Sequence, residues 1–144
     1  MDIVESEEVP LIQVLPLVYR LVMGNTDPHR HGFTKSQFLV LAVLYRRGSL
    51  HMTQIAEYLS SAKEQASRVV SPLAEAGLVE RSIDPENRTR VCVSLTEKGR
   101  ESIDRYIAEM KRRINDKLGC LEESDRTELF TAAASMVTIL SKLA

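Results

Sequence analysis

Lys63, Gln65, Ser67, Arg68 and Ser71 lie close together in the sequence, interleaved with Ala66, Val69, Val70 and Leu73, apolar residues that recur every three to four places. On a helix this spacing turns the apolar side chains inward and leaves Glu64, Ser67, Arg68 and Ser71 on the opposite side, with Lys63 and Gln65 on its flanks. The outward groups suit recognition of base edges and phosphates. A guanidinium can bond guanine bidentately, a Gln amide can do so with adenine, and a serine hydroxyl serves either bases or phosphate. The start of such a helix also offers free amides to an anion. Arg88 and Arg90 stand at and just after a polar turn, Asp84-Pro85-Glu86-Asn87-Arg88. A protruding arginine there suits a narrow minor groove or a phosphate strand, and Asp84 and Glu86 are expected to pair with the arginines and shape the turn. Two arginines in a loop are equally an ordinary solvated pair, so the elements around them decide the reading.

Six helical segments and one hairpin are expected to position these residues. The first helix, about Pro10 to Met23, is apolar over most of its circumference, as a helix buried against a partner would be, and Pro16 lies inside it. Gly24 to Gly32 reads as a loop. Thr34 and Gln37 have capping-box spacing and open a second helix that runs to Gly48. A short third helix spans about Thr53 to Leu59. Ser61 and Glu64 offer another capping box for the fourth helix, which ends near Gly77 and carries Pro72, expected to bend its second half. Leu78 to Ile83 and the alternating Val91, Val93 and Leu95 flank the charged turn as a β-hairpin. Thr96 caps a long fifth helix with the stripe Ile103, Ile107, Met110, Ile114 and Leu118, and Ser124 starts a sixth. Two short helices followed at once by a hairpin make a winged helix-turn-helix. The fold class is therefore mainly α with a small β-hairpin wing, in a single domain over 1–144 whose lobe runs from 51 to 99.

Composition sets limits on function. With 144 residues, 44% apolar and 27% charged, the chain has the ordinary globular mixture. The first ten residues are acidic, without the basic start and apolar stretch of a secretory signal, and no apolar run reaches membrane-spanning length; a cytoplasmic location is expected. Cys92 and Cys120 lack CxxC spacing and read as free structural thiols. No nucleophile-base pairing, glycine-rich phosphate loop or HExxH pattern points to an enzyme, and no cofactor is implied. The absence of Trp and an aromatic content of 5% argue against single-strand binding by base stacking. The net charge of -1 runs against phosphate neutralisation, and from His51 to Gly99 the basic Lys63, Arg68, Arg81, Arg88, Arg90 and Lys98 face the acidic Glu57, Glu64, Glu75, Glu80, Asp84, Glu86 and Glu97. A winged-helix protein-interaction module without DNA binding is the competing class.

From Met52 to Arg100 the chain resembles the core of the MarR family of bacterial and archaeal regulators, through IAEYL, SRVVSPLAEAGLVER, DPENR and VSLTEKG; the flanking helices extend the likeness over nearly the whole chain. The resemblance implies a homodimer built by the first, fifth and sixth helices, with 9–24 and 97–143 as dimerisation segments. It implies recognition contacts at Lys63, Gln65, Ser67 and Arg68, with Ser71 on the same face, and wing contacts at Arg88, with Arg90 beside it. Two recognition helices in successive major grooves, about 34 Å apart, require a pseudo-palindromic duplex operator. Repression released by a small anionic or aromatic effector is the expected mode, and Tyr45, Tyr106 and Arg20 are candidates for an effector cleft that read first as packing residues. The sequence departs from the family pattern at Asn87-Arg88-Thr89, where Asp-Arg-Arg is commoner, and at His51, where a Ser or Thr cap is expected. Some relatives bind zinc, and His29 and His31 with Asp27 or His51 form a weak candidate set for a metal-sensing regulator, although no metal is assigned to the site residues. The resemblance would place a peroxide-sensing cysteine in the first helix, and this chain has none there.

Overall fold

The computed structural model describes residues 8–24 and 32–143. Among them run α1 (Val9–Met23), α2 (Lys35–Arg47), β1 (Ser49–His51), α3 (Met52–Tyr58), α4 (Lys63–Glu75), β2 (Val79–Ile83), β3 (Val91–Leu95), α5 (Glu97–Leu118) and α6 (Glu123–Leu140), followed by a 3-10 turn, Ser141–Leu143. The chain divides into two compact units, Met1–Glu109 and Met110–Ala144.

Local chemistry explains most boundaries in the first unit. Thr34 accepts a hydrogen bond from the Gln37 amide while the Gln37 side chain accepts from the Thr34 amide, so α2 opens on the expected capping box. It closes at Gly48, whose φ of 85° is open to glycine and strained for other residues. At the start of α5 the Thr96 hydroxyl accepts from the Gly99 amide and donates to the Gly77 carbonyl, which ties the new helix to the end of α4. Gly99 itself is required by proximity, since a Cβ there would lie 1.9 Å from the Leu78 carbonyl oxygen.

Three expectations need correction. The fourth helix starts at Lys63 with Ala62 as its N-cap; no side chain caps it, and the Ser61 hydroxyl instead donates to the Ala62 carbonyl. Glu122, not Ser124, precedes α6, again without a side-chain cap. The hairpin has a third strand, because Ser49–His51 pairs antiparallel with β3 to give the order β1-β3-β2. Three residues are too short for alternation to show.

Both internal prolines sit in continuous helices. Pro72 is exposed, so its ring meets solvent, and α4 runs on to Glu75.

The core of the first unit is drawn from every element of the lobe. Val40, Leu41 and Leu44 of α2 are buried, with Leu50, Ile55, Ala66, Val70, Leu73, Val79, Val93 and Ile103. The inner stripe of α4 thus packs on α2, α3 and β2, leaving its opposite side free. By contrast α1 has no buried residue, although Leu11, Ile12, Leu15, Leu17 and Val18 lie on it; Ile12 and Leu15 are each 70% exposed. In the second unit α6 also buries nothing and exposes Leu129, Phe130, Val137, Ile139 and Leu140. No helix of the described residues is long and apolar enough to cross a membrane.

Candidate nucleic-acid interface

Three elements position the candidate contact residues. The turn between α3 and α4 passes through Ser60 in the left-handed region (φ 48°), then Ser61 and Ala62, so that the two helices meet as a helix-turn-helix. With Ala66, Val70 and Leu73 fixed in the core, helical geometry sends Lys63, Gln65 and Arg68 to the surface, where all three are exposed. Among the described residues none of these three side chains is engaged in a hydrogen bond or ion pair. They are therefore available to an external partner without breaking an internal contact.

Ser67 and Ser71 are placed differently. Both are half-buried on the flank of α4 that faces β2, and Arg81 of β2 donates from one guanidinium nitrogen to the Ser71 hydroxyl at 3.0 Å and to that of Ser67 at 3.4 Å. The Ser71 hydroxyl also donates to the Ser67 carbonyl at 2.8 Å. Arg81 thus brings a cation against the side of α4. It is the surface residue that sequence reasoning missed. Its position opposite Val93 in the register aligns it with the helix, and that pairing is invisible to helix periodicity.

Arg88 and Arg90 are exposed on the hairpin turn, as expected from their position. Asp84 and Glu86 do not pair with them. The Asp84 carboxylate accepts from the Glu86 amide at 2.9 Å and faces His51, while the Asn87 side chain accepts from the Thr89 amide and hydroxyl. Short polar side chains satisfy nearby backbone donors more readily than they hold long, solvated arginines, so the turn is shaped through its backbone and the arginine heads stay free. Asn87, the departure from the commoner pattern, is one of the two residues that shape it.

The remaining candidates separate. Tyr106 is buried in an aromatic group, its ring centroid 4.8 Å from Phe38 and 5.8 Å from Phe33. Tyr45 is exposed, with the Arg100 guanidinium 5.1 Å from its ring centroid; a hydrogen bond to Asp104 and the charge of that carboxylate hold its phenol above the usual range. Arg20 is exposed on α1. Asp27, His29 and His31 lie outside the described residues. His51, the other member of that metal set, instead meets Asp84 and Cys92. Cys120 is exposed, with its thiol against the Lys117 carbonyl.

The comparisons with known proteins agree with this geometry. A family model described as MarR family matches residues 33–91, which hold α2, the helix-turn-helix and most of the hairpin. The HTH-type transcriptional regulator YkoM of Bacillus subtilis (strain 168) is 34% identical over 79 residues, 55% of this chain and 51% of that protein, so the match spans about half the relative's length. The HTH-type transcriptional regulator MhqR of the same organism is 26% identical over 139 residues, 95% of each chain. Among solved structures, NadR in complex with 4-hydroxyphenylacetate is similar at a TM-score of 0.70 and 19% identity, over 100% of this chain and 98% of that one.

Proposed function

We propose that this chain is a MarR-family regulator, a sequence-specific, double-stranded-DNA-binding repressor that acts as a homodimer. The observation that carries the reading is the outer face of α4, where Lys63, Gln65 and Arg68 stand exposed and unengaged, as do Arg88 and Arg90 of the hairpin turn. Gln65 and Arg68 have the geometry to read base edges in a major groove. Lys63, Arg88 and Arg90 neutralise phosphates or enter the minor groove, and Ser67, Ser71 and Arg81 support the helix from its flank.

The lobe as a whole is not basic, so one lobe alone binds weakly and two-fold association supplies the remaining affinity. The exposed apolar residues of α1 and, separately, those of α6 support a second copy of the chain as the partner. A dimer then reads a pseudo-palindrome with half-sites about 34 Å apart. Occupation of the operator blocks transcription, and a small anionic or aromatic effector releases it. The likeness to a regulator solved with 4-hydroxyphenylacetate supports that last step.

Selection of bound sequences from random duplex DNA, at stated salt, tests the reading. An enriched pseudo-palindrome is expected, with Arg68→Ala lowering affinity for it and Arg88→Ala reducing the salt dependence. If no duplex is enriched, the regulator reading fails, and the near-neutral lobe is then better read as a protein-interaction module.

A further inference from the structure

His51, Asp84 and Cys92 take no part in the proposed contacts with DNA, yet they converge at the root of the wing. His51 ends β1 and is the N-cap of α3, Asp84 follows β2, and Cys92 lies in β3. The sheet register sets Cys92 opposite His51 on one side and Ser82 on the other, two residues before Asp84. His51 Nδ1 is 3.3 Å from Cys92 Sγ, His51 Nε2 is 3.7 Å from Asp84 Oδ2, and one ligand atom from each residue lies within 4.8 Å of the other two. All three residues are half-buried, the His51 side chain 27% exposed and that of Asp84 14%.

We propose that His51, Asp84 and Cys92 form a binding site for a divalent transition metal ion, with Zn²⁺ as its best-matched occupant. The donor set selects the metal class. A thiolate is a poor ligand for Mg²⁺ or Ca²⁺, which take oxygen, whereas one sulfur, one imidazole nitrogen and one carboxylate oxygen are the ligand types of zinc. Zn–S and Zn–N bonds of about 2.3 and 2.0 Å give a tetrahedron with edges of about 3.3–3.5 Å. One ion takes a single ring nitrogen of His51, and since Cys92 faces Nδ1 and Asp84 faces Nε2, the donors, all within 4.8 Å of one another, close on it through side-chain movements of up to about 1.5 Å. As the Zn–S bond forms the Cys92 thiol releases its proton to solvent, and the fourth position takes water.

Binding here would tie the residue that starts the wing turn to the strand that leads into α3. A loaded site thus restrains Asp84, whose carboxylate shapes the turn that carries Arg88, and so raises duplex affinity. That consequence rests on the DNA-binding reading; the metal site does not.

The test is a titration of the reduced full-length chain with Zn²⁺ against a chromophoric chelator, and with Co²⁺ as a spectroscopic probe. One ion per chain is expected, with a thiolate-to-cobalt charge-transfer band in the near ultraviolet. Cys92→Ser should abolish the band, and Asp84→Asn and His51→Gln should each weaken Zn²⁺ binding at least about tenfold. Cys120→Ser and the double variant His29→Gln with His31→Gln should bind as the parent does. Retention of the thiolate band in Cys92→Ser, its absence from the parent, or loss of binding in either control overturns the site. Circular dichroism and melting of each variant separate loss of a ligand from loss of the fold. Duplex binding measured with and without Zn²⁺ then separates the two proposals. Zinc binding without duplex binding sinks the repressor reading alone, and duplex binding without zinc binding sinks the metal site alone.

Discussion

The winged lobe and the helices α1 and α6 are both rich in apolar residues, but only the lobe buries them within its own unit. Leu41, Leu44, Ile55, Val70 and Leu73 are almost wholly shielded, while α1 and α6 have no buried residue. Full burial of one large aliphatic side chain is worth about 1.5–3 kcal/mol, so several left in water on one helix represent a large unspent driving force. The difference teaches that periodicity reports which face of a helix is apolar, and that burial within the chain must be seen before that face is assigned to a core. It also separates two roles. The lobe holds α4 in place by its own packing, whereas α1 and α6 are proposed to be completed by a second copy.

The most severe way to break this contrast is to place charge on the exposed faces. Leu15→Glu on α1 and Ile139→Glu on α6, tested singly, should leave the lobe folded but give a monomer by sedimentation. Duplex affinity should fall at least about a hundredfold, because two linked half-sites are lost. A dimer of unchanged affinity would sink the proposed role of that helix. In the lobe the effect should be on stability. Leu41→Ala removes a wholly buried side chain and should cost about 2–5 kcal/mol in urea unfolding, against little for Ile12→Ala in the isolated monomer.

Smaller effects sharpen the picture within the lobe. Arg68→Ala should weaken specific binding by about 1–3 kcal/mol and relax preference at one base position, whereas Arg88→Ala should weaken all duplexes alike and lower the salt slope by about one. Binding measured across a salt series and a panel of single-base changes distinguishes the two. Thr96→Val removes the cap of α5 and its bond to Gly77, and a loss of about 1 kcal/mol is expected in thermal melting with DNA contacts intact. The least effect concerns Tyr45. Its phenol is held high by Asp104, so phenolate absorbance should appear at higher pH than for free tyrosine, and Asp104→Asn should bring that titration down.

Much of this arrangement was legible in the residues. Thr34 with Gln37, the stripe of α4 and the alternation in β3 are local signals, set by spacing along one element, and they located the helix-turn-helix and its outward Lys63, Gln65 and Arg68. Other features were not legible because they depend on partners distant in sequence. β1 exists through its pairing with β3, Arg81 meets Ser67 and Ser71 across fourteen and ten residues, and His51 meets Cys92 across forty-one. The sequence by itself determined which faces are apolar, where most helices start and that Lys63, Gln65 and Arg68 turn away from the core, because helical and strand periods are properties of neighbours. Only the tertiary structure decided that the wing arginines are free of Asp84 and Glu86, that Arg81 buttresses α4, and that imidazole, carboxylate and thiol share one corner. Register between strands places those groups together, and no single stretch of the chain encodes it.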